Sequence, residues 1–258
     1  MGTVVYELKD HVATITLNRP EVLNALNYEL LVELEIALES ILIHHDVRAV
    51  VITGAGDKAF SVGADLKERK HLPDSMVKRN LTKIGQVFNM IEQLPQPTIC
   101  ILNGYAFGGG LELALACDFR IASDHAKMGL TETSLGIIPG AGGTQRLTKL
   151  IGQAKALELI LTARHISAIE ALEYGIMTKV CSAGELQNTV EEFVQSITRN
   201  APIAIQQAKF AVKQAGNVDL QTGLQVERKA YELTLHTEDR IEALNAFSEK
   251  RKPVFKGQ

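Results

Sequence analysis

Several things are scarce in this sequence, and each shortage excludes a class of protein. Cysteine occurs only at positions 100, 117 and 181, an odd number with no CxxC spacing. Neither a disulfide framework nor a zinc knuckle is therefore written here, and a reducing compartment is expected. Aromatic residues make up 5% of the chain, and no stretch interleaves them with basic side chains, which is the pattern of many single-strand RNA binders. Neither sign of charge is in large excess. Twenty-seven Lys and Arg against thirty Asp and Glu give a net charge of −3, so no nucleic-acid partner is expected. The longest uncharged run, Gln93 to Leu111, contains two prolines, an asparagine and four glycines, so it supplies no continuous apolar helix for a membrane. The first residues lack the basic and apolar regions of a signal peptide, and Tyr6 stands where myristoylation needs Ser or Thr. A cytoplasmic protein without membrane contact is the resulting expectation. Seven prolines and twenty glycines without a period exclude collagen and point to several tight turns.

What remains is an ordinary globular composition: 258 residues, 46% hydrophobic and 22% charged. That length fits one large domain or two small ones and buries a core that needs no disulfide or metal. Val4–Leu8 and His11–Leu17 read as a hairpin, with Ala13, Ile15 and Leu17 alternating against Val12, Thr14 and Thr16. From Asn27 onward Leu30, Leu31, Leu34, Leu38, Ile41 and Leu42 recur at helical spacing. Ala49–Thr53 and Thr98–Leu102 read as buried strands, and Phe119–Ser123 as another. Ser75–Leu94 reads as a helix stopped by Pro95 and Pro97, and Leu111–Ala116 as a helix after three glycines. Beyond Gly143 helices dominate. Ser167-x-x-Glu170 and Ser182-x-x-Glu185 have the form of capping boxes, with Gly175 as a C′ residue after the first. Further helices are expected near Ile203–Gln214, Leu220–Thr234 and Ile241–Lys250. Strand–helix alternation followed by helices predicts an α/β core, residues 1–195, with a helical C-terminal region, residues 196–258.

Familiar catalytic signatures are missing. Gly140-Ala-Gly142-Gly143-Thr-Gln145 starts like a dinucleotide fingerprint but ends in Gln145. No P-loop is present, and Phe60-Ser61-Val62-Gly63 lacks the first glycine of a nucleophile elbow. Histidines 11, 44, 45, 71, 125, 165 and 236 show no metal-ligand spacing, so no metal is expected. Three other segments stand out: Ala59–Lys67, Asn103–Ala114 and Met128–Arg146. In the second, Gly108-Gly109-Gly110 precedes a helix. Glycines there let bare backbone approach a ligand, and free N–H groups at the positive end of a helix stabilise an anion or a developing oxyanion. Glu112, three residues after Gly109, could face the same volume. A packing role for the glycines, with Glu112 as a favourable first-turn acid, explains the same pattern equally well. Glu132 reads either as a buried acid or as an ordinary loop carboxylate. Two glutamates in one desolvated pocket would have separated pKa values, suiting one as base and the other as acid.

These three segments, with Thr16-Leu-Asn-Arg-Pro20, Asn24-Ala-Leu26 and Glu249–Lys256, resemble the crotonase superfamily, and within it the enoyl-CoA hydratases. The resemblance spans essentially the whole chain. It implies a spiral of ββα units with C-terminal helices that trimerise, often as a dimer of trimers, hence a homotrimer or homohexamer. It assigns the oxyanion hole for a thioester carbonyl to the amides of Ala64 and Gly109, and the acid–base pair to Glu112 and Glu132. Ala64, Asp65, Leu66 and Lys67 match a loop against CoA, Gly140 a backbone position near the catalytic water, and Lys250 a lysine that meets CoA phosphate. The implied reaction adds water across the C2=C3 bond of a 2-enoyl-CoA, and CoA is part of the substrate rather than a cofactor. Which glutamate is base and which is acid is not legible in the sequence. Leu130-Thr131 stands where many hydratases carry Gln-Pro, and Met-Gly-Leu-x-Glu-Thr is closer to the methylglutaconyl-CoA hydratase branch, some of whose members bind AU-rich RNA. An enoyl-CoA isomerase, which usually needs one carboxylate, is a rival within the superfamily. An RNA-binding protein with a vestigial site is a rival of another class, to which Lys78-Arg79 and Lys250-Arg251-Lys252 would belong.

Overall fold

The structure, a computed structural model, describes residues 2–44 and 46–258. His45, among the histidines weighed as metal ligands, lies outside them. The chain forms two compact units. The first runs to Leu94 and resumes over Thr98–Val190, and the second gathers Pro95–Pro97 and Glu191–Gln258.

In the first unit, β1 (Val4–Lys9) and β2 (Val12–Leu17) form an antiparallel hairpin with Lys9 opposite Val12. Asp10 and His11 make the two-residue turn, both at positive φ (48° and 66°), as the twist of a hairpin favours. His11 is therefore a turn residue rather than the first residue of the second strand. The alternation read in β2 is real: Ala13, Ile15 and Leu17 are fully buried and the residues between them half-buried. Helix α1 (Tyr28–Ile43) starts at Asn27, whose side chain accepts from the Leu30 amide at 3.0 Å.

From there the chain repeats one plan. β3 (Ala49–Gly54) and β4 (Ala59–Ser61) lead to α2 (Leu66–Lys70) and α3 (Asp74–Gln93), and α3 stops two residues before Pro95. β5 (Thr98–Leu102) and β6 (Tyr105–Phe107) lead to α4 (Gly109–Ala116). β7 (Phe119–Ser123) and β8 (Lys127–Gly129) lead to α5 (Gly143–Ile151). Each passage puts its first strand in one sheet and its second in another. With β9 (Ile166–Ser167) and β10 (Lys179–Cys181) the six-stranded sheet orders β1-β2-β3-β5-β7-β10 and the four-stranded sheet β4-β6-β8-β9. That is the ββα spiral implied by the resemblance. The central strands β3 and β5 are parallel and buried on both faces, which is why they read as unbroken apolar runs.

α6 (Gln153–Leu161) and α7 (Ala168–Glu173) follow in the first unit. Ser167 and Glu170 form a reciprocal capping box on α7, and Gly175 follows at a left-handed φ of 77°. Ser167→Ala should cost about 1 kcal/mol, read as a fall in Tm of roughly 2–4 °C. The second expected box does not form. Ser182 Oγ donates to the Glu185 side chain at 2.7 Å, no side chain among the described residues caps the backbone, and residues 183–185 make a 3₁₀ turn before α8 (Leu186–Thr198). In this tighter turn the serine meets its acid directly instead of reaching the backbone N–H that a box requires. In the second unit α9 (Pro202–Ala215), α10 (Leu220–Thr234) and α11 (Glu238–Ser248) follow. α11 begins three residues earlier than its apolar pattern suggests because Thr237 accepts from the Arg240 amide. Among the described residues no helix is long and apolar enough to cross a membrane.

Candidate active site

The second strands are short, and their ends converge on a cavity of about 500 Å³ within the first unit. This lies inside the usual range for small-molecule sites. Its wall includes Ala64, Gly108, Gly109, Glu112, Glu132 and Gly140, together with apolar Leu72, Val77, Leu81, Ile84, Leu135 and Ile138. The three segments singled out in the sequence thus meet in one place.

The segment after β4 is held by a parallel bridge between Leu26 and Ala64. Leu26 uses both of its backbone groups there: its N–H donates to Gly63 O at 2.8 Å and its carbonyl accepts from Asp65 N at 3.1 Å. In such a bridge the opposite residue keeps its own groups turned away, and the Ala64 amide has no acceptor among the described residues. The second amide comes from α4. Its N-cap, Gly108, donates to Gly129 O at 2.9 Å, while Gly109, the first helical residue, has an amide without an acceptor among the described residues. It therefore presents an N–H at the positive end of the helix dipole. The two loops touch: a Cβ added to Gly63, itself at φ 83°, would lie 2.7 Å from the Gly109 nitrogen.

Gly110 is where α4 meets β4. A Cβ there would sit 2.1 Å from the Ser61 carbonyl oxygen, a backbone atom that cannot step aside. Gly110→Ala should destabilise the protein by about 3 kcal/mol, the upper end of overpacking costs, measurable by thermal unfolding. Ser61 itself is fully buried and donates to Asn24 O at 2.8 Å, so it is a framework residue and not a nucleophile.

The two glutamates are buried, at 3% exposure for Glu112 and 8% for Glu132. Glu112 Oε1 accepts from the amides of Ala141 and Gly143, both at 2.8 Å. Burial raises its pKa, opposed by those two N–H groups and by the charge of Arg146. Glu132 opens a 3₁₀ turn after β8, and its Oε2 is buried without a hydrogen-bond partner among the described residues. Its pKa is pushed up to about 7, chiefly by burial and further by the Glu112 charge, against a hydrogen bond from its own backbone. Its carboxyl lies beside the start of α4, where a Cβ on Gly108 would be 3.1 Å from Oε1. Among the described residues the bonding of the two acids is unlike. Glu112 is held by donors that favour its ionised form, whereas Glu132 has an oxygen suited to carry a proton.

The other residues drawn from the resemblance separate into two groups. Leu66, Asp65 and Gly140 line the cavity, but Asp65 is engaged in structure. Its Oδ1 accepts from the amides of Lys67 and Glu68 to cap α2, and its Oδ2 pairs with Arg19 at 3.0 Å. These contacts lower its pKa although burial acts first in the opposite direction. Lys67 is exposed and outside the cavity wall, where Glu68 and Arg69 stand instead. Lys250 lies in the second unit, just after α11, at a left-handed φ of 55°. Ala141 and Gly143, the donors to Glu112, escape the sequence reading. Their only signal is the glycine run of residues 140–143, whose last member has Glu112 Oε1 2.9 Å from where a Cβ would sit. Among the described residues no group of three His, Cys, Asp or Glu side chains could hold a metal ion.

Similarity to known proteins extends over nearly the whole chain. A family profile described as enoyl-CoA hydratase/isomerase matches residues 7–258. The short-chain-enoyl-CoA hydratase of Clostridium acetobutylicum is 43% identical over 253 residues, covering 98% of this chain and 97% of that protein. The mitochondrial methylglutaconyl-CoA hydratase of Mus musculus is 42% identical over 251 residues, covering 96% and 80% respectively. A crystal structure of an enoyl-CoA hydratase from Bacillus anthracis superposes with a TM-score of 0.97 at 49% identity, covering 99% of this chain and all of that one. With a match of this extent, and a fold of stacked ββα passages around the cavity, the chain belongs to the enoyl-CoA hydratase/isomerase family.

Proposed function

We propose that this protein hydrates 2-enoyl-CoA thioesters. The observation that carries the reading is the presence of two buried glutamates, unlike in their bonding, on the wall that also holds the unengaged amides of Ala64 and Gly109. The thioester oxygen accepts from both amides, which draws electron density from the conjugated C=C. Each such donor is worth about 2.7–4 kcal/mol to a transition state with charge on that oxygen. Glu112 takes a proton from water as the oxygen adds to C3, and Glu132 gives its proton to C2; return of one proton from Glu112 to Glu132 restores the pair, so the net change is addition of one water. The reaction needs no electron transfer. An isomerase requires one carboxylate to move a proton between carbons, and the second buried acid favours hydration over it.

The assay is loss of enoyl-thioester absorbance with crotonyl-CoA, longer 2-enoyl-CoAs and a methyl-branched, carboxylated 2-enoyl-CoA. Relatives of nearly equal identity are named for short-chain and for methylglutaconyl substrates, so the panel assigns the acyl group. Migration of a 3-enoyl double bond without hydration of any member would replace this reading by isomerase. RNA binding is disfavoured by the basic side chains themselves. Arg79 lies over the Tyr28 ring at 3.7 Å, and Arg251 pairs with Glu242 and Glu249. A filter-binding salt titration with a flat slope is expected. We also infer a homotrimer or dimer of trimers, supported by exposed Phe210, Leu224, Tyr231, Leu233 and Phe247 on the C-terminal helices. Contact of Lys250 with CoA phosphate and a cytoplasmic location belong to the same reading. A monomeric mass by light scattering would remove the oligomer.

A further inference from the structure

Resting on the reading that Glu112 accepts the proton of water, we propose that Arg146 is a positioning residue for that base, acting through the backbone of residues 141–143. Arg146 lies on α5, is absent from the cavity wall, and has a side chain only 11% exposed. Its Nη1 donates to the Ala141 carbonyl at 2.7 Å. Its Nε and Nη2 donate to Glu92 Oε2 at 3.0 and 2.7 Å, and Nη2 donates also to Asn89 Oδ1 at 2.7 Å. Asn89 and Glu92 are one turn apart on α3, so the guanidinium fastens the loop to that helix.

Ala141 is the pivot of the arrangement. Its carbonyl accepts from Arg146 while its amide donates to Glu112. Between this donor and the second, on Gly143, lies Gly142 at φ 100°, where a Cβ would be 2.1 Å from Arg146 Nη1. The guanidinium thus packs directly on the backbone whose two N–H groups aim Glu112. A planar fork with several fixed donors can lock a peptide plane in this way; an ammonium cannot. The cation also favours the ionised form of Glu112. The other charged groups facing this region are Glu132, Asp65, Glu68 and Arg69 on the cavity wall, and Glu92 behind the loop. Of these, Asp65 is paired with Arg19 and Glu92 with Arg146.

The test uses the full-length protein with the 2-enoyl-CoA that the substrate panel selects. Arg146→Gln should lower kcat at least tenfold with KM changed less than twofold, and should move the acid limb of the kcat profile to higher pH. Arg146→Lys should restore the limb, through its charge, but not kcat. Combined with Glu112→Gln, Arg146→Gln should cause no further loss, because it acts only through that carboxylate. Should Arg146→Gln not fold, Glu92→Gln, which keeps the cation and weakens its anchor, should lower kcat at least threefold at unchanged KM. A folded Arg146→Gln with wild-type kcat and limb, a loss as large in the Glu112→Gln background, or an unaffected Glu92→Gln where that variant is the one available, would overturn the role of Arg146. Failure of the wild type to hydrate any member of the panel would instead remove the reading on which it rests.

Discussion

Glu112→Gln lowers kcat by about 10²–10⁴-fold, the usual contribution of a positioned acid–base group, and leaves the fold in place. The amide side chain keeps an oxygen that can accept from Ala141 and Gly143, the two bonds at 2.8 Å that tie α4 to the loop before α5 and to the first residue of α5. What disappears is the oxygen able to take a proton. Circular dichroism and Tm should therefore match the wild type, and KM should change little, since binding of the thioester depends on backbone amides that the substitution does not touch. Glu112→Ala should behave worse in a different way. It leaves two buried N–H groups without an acceptor, at about 1–3 kcal/mol each, so both stability and turnover fall. A Glu112→Gln protein with more than a tenth of wild-type kcat would show that this carboxylate is not the base.

Glu132→Gln has an effect of similar size on turnover and a second signature in pH. With its pKa at about 7, Glu132 is half protonated near neutrality, and the fraction able to donate a proton falls as pH rises. kcat/KM should therefore decline on the alkaline side with a midpoint near pH 7, and the residual activity of Glu132→Gln should lack that limb. Stability has a sign of its own. A carboxyl whose folded pKa lies above its ordinary 4.5 favours the folded state below pH 4.5 and loses that contribution as pH rises through about 7. The glutamine variant never ionises, so it should gain on the wild type between pH 4.5 and pH 8. The gain is about 2 kcal/mol after allowance for water in the cavity, or roughly 4–8 °C in Tm. Equal pH dependence of Tm in both proteins would contradict the raised pKa.

Much of the fold is legible in the sequence. Helical spacing of Leu30, Leu31, Leu34, Leu38 and Ile41 marks α1, and Pro95 marks the end of α3, because helix spacing and a missing N–H are local properties. The strands β4, β6 and β8, three residues each, were not all legible. A strand that short has no period to detect, and its existence depends on neighbours supplied by distant turns of the spiral. The Ser182 box failed for a related reason: the residues for a cap were present, but the backbone took a tighter turn.

The candidate site divides in the same way. Sequence alone determined which chemistry is on offer: bare backbone after β4 and at the start of α4, two acids twenty positions apart, and nothing with the spacing of a metal site. It also carried enough motif to place the chain in its family. Only the tertiary structure decided how those groups differ. It bonded Glu112 to amides 29 and 31 residues away, left Glu132 with an orphan oxygen, and spent Asp65 on Arg19 and a helix cap. It also put Arg146 behind the loop. The physical reason is that a carboxylate's proton affinity is set by burial and by the donors aimed at it, and both come from contacts between segments far apart in the chain.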